Sequence, residues 1–231
     1  MNIVLLEPQP RQDMWSITEE RQLMHLHTHL KVQVGDTLKV GIKNAKRYLV
    51  KVVHVEPHLI QVQPLHEESV PNKLPIHLVV ALPRPKVLRR LIMDSVSMGV
   101  NRISLIHSYR VDKSYWQSPF LNQLNEYVTL GLEQAGDTFF SDIEIYKRFK
   151  LFVEDVLPTF AQPIYVAHPY ATTAMPKQIS EPCTVVIGPE GGFIDYEIEL
   201  LKQNGCQAVT FGDRILRTET AISYVLGRLS G

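Results

Sequence analysis

Apolar and polar residues alternate two by two over much of the first seventy positions, then change rhythm. A two-residue period is the mark of strands with one buried face. IVLL at 3–6 predicts a first strand. TLKVGI, RYLVKVVHVE and HLIQVQPL predict three more, with a turn at Gly35-Asp36 before them. Between these, Ser16 followed by Glu19 reads as a capping box that opens a short helix through about His29. Several short strands and one helix in about 70 residues predict a small β-barrel of the PUA or OB type. Such barrels often bind RNA, but a fold by itself is not a function.

The rhythm changes at EESVPNKLP, residues 67–75, whose two prolines, asparagine and acids predict a linker. Beyond it, short apolar runs alternate with stretches of helical period. IHLVVAL predicts a strand. Pro83 and Pro85 precede a helix with Val87, Leu88, Leu91, Ile92 and Val96 on one face, ended by Gly99. RISLIHS predicts the next strand. Ser118-Pro119 supplies an N-cap and first helical position for a helix presenting Leu121, Leu124, Tyr127 and Val128 and running to Gly136. IYVAHP, CTVVIGP and QAVTFG predict three further strands. A helix from about Asp195 separates the last two, and a final helix spans about Glu219 to Leu229. Strands alternating with helices predict an α/β domain with a mostly parallel sheet. The expected organisation is therefore a small β-barrel over residues 1–70 and an α/β domain over 74–231.

Composition narrows the classes. Hydrophobic residues make up 45% and charged residues 21%, which excludes a disordered or collagen-like chain. No apolar run approaches the ~20 residues of a membrane helix. MNIVLLEPQP has no basic residue and only a short apolar run, unlike a secretory signal. Cys183 and Cys206 make neither a disulfide framework nor a CxxC zinc motif, so a reduced, cytoplasmic protein is expected. The formal net charge is zero, but residues 84–113 hold Arg84, Lys86, Arg89, Arg90, Arg102, Arg110 and Lys113 against only Asp94 and Asp112. That run is either a patch that meets phosphates or a solvated helix face.

In parallel sheets ligands sit at the carboxyl ends of strands, so the loops after Ala167, Ile187 and Phe211 are the candidate site. The first is His168-Pro169. The second runs Gly188-Pro189-Glu190-Gly191-Gly192-Phe193, where paired glycines permit positive φ and close approach of a ligand. It is neither a GxGxxG nor a GK[ST] loop, so a dinucleotide or P-loop site is not indicated. The third, Gly212 to Ala221, carries Arg214, Arg217, Thr218 and Glu219 at a strand-to-helix junction. An N-cap at Thr218 with its acidic first turn explains Thr218 and Glu219, but not two arginines.

IGPEGGF at 187–193 followed by FGDRILRTETA at 211–221 resembles the bacterial 16S ribosomal RNA uridine-N3 methyltransferases, the RsmE family of the SPOUT superfamily. VAHP at 166–169 and HLHTHLKVQVGDTLKV at 25–40 resemble other parts of the same family, so the resemblance covers nearly the whole chain. It implies an N-terminal PUA-like RNA-binding domain and a C-terminal α/β domain with a deep trefoil knot. It also implies a homodimer and S-adenosylmethionine as cofactor, held by His168, Pro169, Gly188, Pro189, Glu190, Gly191, Gly192, Phe193, Leu216 and Thr218. Glu190 is open between touching ligand and capping backbone. The acceptor implied is N3 of a uridine in 16S ribosomal RNA of the small subunit.

Arg217 is the candidate for favouring the uridine anion, or for fixing its loop. Glu219 is the candidate for orienting Arg217 or for sitting near the cofactor's positive end. Arg84, Lys86, Arg89, Arg90 and Arg110 are the candidate RNA contacts. No metal is expected, because His25, His27 and His29 at i, i+2, i+4 do not share a helical face. His107 and Ser108 have no acid at a spacing that completes a hydrolase triad. Trp15 and Trp116 are read as packing residues, with base stacking as the other use of an exposed ring.

Four positions depart from the family pattern. Ser97-Met98-Gly99 stands where Glu-Leu-Gly is usual, Tyr109 where Glu is usual, and Asp137 where an Arg is expected; the first few residues lack an arginine. An aspartate for an arginine exchanges a possible phosphate partner for a repelling charge. Two alternatives follow: a non-catalytic RNA-binding or ribosome-assembly protein, or a divergent enzyme acting on a different RNA or on a small molecule.

Overall fold

The computed structural model describes residues 1–8 and 13–230. They form two compact units, one of residues 1–72 with 129–140, the other of 73–128 with 141–230.

The first unit contains β1 (Val4–Leu6), β2 (Trp15–Ile17), α1 (Glu20–His25), β3 (Thr37–Ile42), β4 (Arg47–Glu56) and β5 (Leu59–Glu68). The strands form one sheet in the order β1-β3-β4-β5-β2, with only the β1–β3 pair parallel. β1 and β2 are its two ends, so among the described residues the ladder is an open sheet and not the closed barrel expected. Its core is made by Val4, Leu6, Ile17, Leu26, Val40, Val50, Val52, Ile60 and Val62.

Ser16 does not open a helix. It lies in β2 opposite Gln61, and the helix begins at Glu20 without a side-chain cap. Trp15 and Ile17, on either side of Ser16, are both buried. Burying two large side chains is worth roughly 1.5–3 kcal/mol each, against about 1 kcal/mol for a cap. After α1 the chain widens into a π-turn at Leu26–Leu30 and stops at Lys31, which has φ +51°.

The second unit contains β6 (Leu74–Ala81), α2 (Pro85–Ser97), β7 (Val100–Ile106) and α3 (Leu124–Ala135), whose last turns group with the first unit. Then come β8 (Asp142–Tyr146), α4 (Phe149–Leu151), β9 (Ile164–Ala167), β10 (Cys183–Ile187), α5 (Asp195–Gln203), β11 (Cys206–Val209) and α6 (Thr218–Ser230). The sheet order is β11-β9-β10-β6-β7-β8 and every pair is parallel. From β6 the chain winds out one way through β7 and β8, then returns to fill the other side. The switch point therefore falls between β6 and β10. β6 and β10 are near-continuous apolar runs because helices cover both faces of such a sheet.

Ser118 caps as expected, accepting from Phe120 N at 3.3 Å, but it opens a 3₁₀ turn ahead of α3. No helix among the described residues is long and apolar enough to cross a membrane.

Candidate functional site

The exits of β9, β10 and β11, three neighbouring strands, enclose a cavity of about 370 Å³. This volume suits a small organic ligand. Ala167, Ile187, Phe193, Val209, Leu216 and Ala221 give it apolar walls, and the Gly188–Gly192 backbone gives it a polar one. His168, Pro169, Gly188, Pro189, Glu190, Gly191, Gly192, Phe193, Leu216 and Thr218 all line it.

The glycine loop is built for close approach. A Cβ on Gly188 would come within 3.1–3.3 Å of the Phe193 ring and backbone nitrogen. Gly192 has φ +74°, a conformation L-residues seldom take. Gly191 does not need its missing side chain for backbone reasons: a Cβ there would meet only the Arg110 side chain. Arg110 donates to the Gly191 carbonyl and lines the cavity. Phe193 is buried against Phe149, with ring centroids 5.9 Å apart. His168 has its pKa held down by burial and then by the Lys202 charge, against Asp195. It therefore faces the cavity as a neutral imidazole at neutral pH.

The cap expected at Thr218 differs. Asp195 is the first residue of α5, and the residue before it is Ile194, whose N–H is taken by the Glu197 carboxylate at 3.1 Å. Thr218 is likewise the first helical residue of α6, buried, while the Arg217 carbonyl accepts from Ala221 N.

Glu197, absent from the sequence-level candidates, organises the site from behind. Its buried carboxylate also accepts from Ser108 Oγ at 3.3 Å and Tyr109 N at 2.8 Å. It thus ties the β7 exit, which carries Arg110, to the end of the glycine loop. The signal available in the sequence was a carboxylate three residues after the one that precedes the helix, the second half of a capping box.

Arg217 and Glu219 flank the cavity without lining it. Arg217 is exposed and has no ion-pair partner among the described residues. Glu219 meets Arg90 at 3.4 Å, and not Arg217. The basic run also disperses. Arg84 pairs with Glu190 at 3.0 Å, and Arg102 with Glu144 at 2.9 Å. The Arg89 guanidinium lies 6.0 Å from the Tyr127 ring centroid, and Lys86 is exposed on α2. Only Arg110 of the candidate RNA contacts reaches the cavity. Cys183 and Cys206 are buried and unpaired, with burial pushing their thiols up to about 11 and about 12.

Residues 70–230 match the RNA methyltransferase domain family, well over half of the chain. The chain belongs to that family. It is 28% identical over 232 residues to the Treponema pallidum protein named ribosomal RNA small subunit methyltransferase E, covering 96% of this chain and 87% of that one. It is 29% identical to the Synechocystis protein of the same name, covering 90% and 70%. A solved ribosomal RNA small subunit methyltransferase E from Neisseria gonorrhoeae, bound to S-adenosyl methionine, shares its fold. The TM-score is 0.81 at 22% identity, over 98% of this chain and 95% of that one.

Within this RNA methyltransferase, the unusual Asp137 is not a charge displayed to nucleic acid. It is buried and accepts from the backbone N–H of Thr138 at 2.6 Å and Phe139 at 3.0 Å, closing the turn after α3. Ser97 donates to the Met93 carbonyl at 2.6 Å within α2. Tyr109 is 76% exposed and meets Glu197 through its backbone. None of the three departures lines the cavity.

Proposed function

We propose that the chain methylates N3 of a uridine in 16S ribosomal RNA, using S-adenosylmethionine held in the cavity at the β9, β10 and β11 exits. The observation that carries this is the cavity at three strand exits, one wall of which is the glycine-loop backbone, where a Cβ on Gly188 would press on Phe193. A ligand with a flat base, a ribose and a short charged tail fits apolar walls interrupted by backbone polar groups. When bound there, S-adenosylmethionine supplies an electrophilic methyl group. His168, Pro169, the Gly188–Phe193 loop, Leu216 and Thr218 hold and orient it. Transfer needs an in-line approach, so fixing the two reactants supplies much of the rate. The Arg217 guanidinium stabilises the negative charge left on uridine N3 as its proton passes to water. Glu219 holds Arg90 and steadies the α6 end of this loop.

The reading brings with it a PUA-like first unit, a trefoil knot, a homodimer and a cytoplasmic site of action. The knot is supported by the 173–179 segment, which meets the chain beyond it twice. Met175 N donates to Thr210 O at 2.9 Å, Gln178 N to Arg228 O at 3.0 Å and Ile179 N to Leu229 O at 3.1 Å. Light scattering at micromolar concentration tests the dimer.

The deciding experiment is transfer of a labelled methyl to small ribosomal subunits lacking the modification, followed by nucleoside mass spectrometry. The expected product is 3-methyluridine. Calorimetric cofactor binding with no methylated nucleoside would overturn the reading in favour of a binding protein. Gly192→Val is expected to weaken S-adenosylmethionine binding at least tenfold. A β-branched residue at positive φ costs about 1–3 kcal/mol and shifts the loop. Wild-type affinity by calorimetry would mean that the loop does not touch the cofactor.

A further inference from the structure

All six strands of the second unit leave the sheet at the same end, and the cations along that end divide by partner. Arg84 is held by Glu190, and Arg110 by the Gly191 carbonyl. Lys113, Lys147 and Arg148 are exposed and have no ion pair among the described residues. They lie on the exits of β7 and β8, adjacent strands whose ends are joined by His107 N donating to Tyr146 O at 2.9 Å. The Lys147 ammonium stands 5.8 Å from the Trp116 ring centroid. That ring is pinned, because its indole N–H donates to His107 Nδ1 at 2.8 Å. Next to Arg148 in the chain, Phe149 packs onto Phe193 in the cavity wall.

Two of the nearby acids are engaged. Asp112 accepts from Ser114 N at 2.8 Å, and Glu154 pairs with Lys150 at 3.7 Å. Asp155 shares with Arg148 a groove of about 400 Å³ beyond β8.

We infer that Lys113, Trp116, Lys147 and Arg148 form a shelf that carries the RNA backbone and a stacked base beside the target nucleotide. This rests on the RNA methyltransferase reading above. A lysine beside a fixed aromatic ring, with two further exposed cations on the same pair of strand exits, matches a strand with phosphates on one side and π-faces on the other. The contact of Phe149 with Phe193 makes the shelf continuous with the cavity. Across the cavity, Arg214 is exposed and unpaired at the β11 exit, on the opposite edge of the sheet. Five strand spacings separate those edges, about 24 Å. A strand with one nucleotide in the cavity thus finds cations on both sides.

The test uses the full chain and small ribosomal subunits lacking the modification. Binding is measured against salt for the wild type, Lys147→Ala/Arg148→Ala and Trp116→Ala. Loss of two phosphate contacts is expected to flatten the slope of log K against log salt by about 1.4 and to weaken binding roughly tenfold at low salt. Trp116→Ala is expected to weaken binding by a similar factor with the slope unchanged. S-adenosylmethionine affinity stays at the wild-type value in both. A wild type that binds and methylates RNA, with the double variant matching its slope and affinity, would overturn the shelf and leave the enzyme reading intact. A wild type that takes cofactor but neither binds nor methylates RNA would overturn both.

Discussion

Arg217→Ala is expected to slow methyl transfer by about two to three orders of magnitude, the usual effect of removing one charge-stabilising donor. S-adenosylmethionine affinity and thermal stability are expected to hold. The side chain is exposed, has no ion-pair partner among the described residues and does not line the cavity, whereas Leu216 and Thr218 on either side of it do. An exposed side chain without such contacts contributes within about 0.5 kcal/mol to stability. What it contributes instead is a positive charge at the cavity mouth where an N3 anion has to form. That makes a prediction a structural role does not share. Raising the pH ionises uridine without help, so the deficit of the variant should shrink as pH rises. Arg217→Lys should recover part of the rate, because it keeps the charge but loses the planar fork. A rate within threefold of wild type in single-turnover measurements, or a deficit independent of pH, would remove Arg217 from this role.

The parts of the fold written in local pattern were legible. β3 and β4 occupy the stretches their alternation predicts, and α2 buries Leu88, Leu91, Ile92 and Val96 on the face their spacing defines. The three loops also meet around one cavity, because their strands are neighbours and strand direction in a parallel sheet fixes where exits lie. Failures arose where a distant partner outweighed a local preference. Ser16 is a capping residue by composition, yet the burial of Trp15 and Ile17 draws it into a strand. β8 escaped notice because DIEIY sits at the sheet edge, where acidic residues are tolerated and resemble a loop. The basic window from Arg84 to Lys113 was open between a patch that meets phosphates and a solvated helix face, and neither reading could show that Glu144, Glu190 and Glu219, 42 to 129 residues away, pair with three of its arginines. Asp137 stood out as a lost cation and proved to be a turn cap, a role that depends on two neighbouring N–H groups.

Glu197→Ala is expected to destabilise the protein by about 3 kcal/mol or more, because hydrogen bonds to a charged group are worth roughly 1.5–3 kcal/mol each and three are lost together. For a chain of this size that lowers Tm by about 6–12 °C. The three donors, Ser108 Oγ, Tyr109 N and Ile194 N, come from two different strand exits, and Ser108 is completely buried. Water cannot replace the carboxylate without opening the packing around it. The same change should lower S-adenosylmethionine affinity, since the Arg110 loop and the end of the glycine loop lose their common anchor. Glu197→Gln is expected to fall between the two, because one amide oxygen accepts while the NH₂ group faces donors. Ser108→Ala removes a single donor, at 3.3 Å, and leaves the carboxylate two, so it should cost only about 1.5 kcal/mol. That ordering, measured by thermal melts and calorimetry on the four proteins, separates an anchor from a merely buried side chain. If Ser108→Ala were as damaging as Glu197→Ala, packing around the hydroxyl would be the cause. If Glu197→Ala melted like wild type, the two loops would have to be held by something other than this carboxylate.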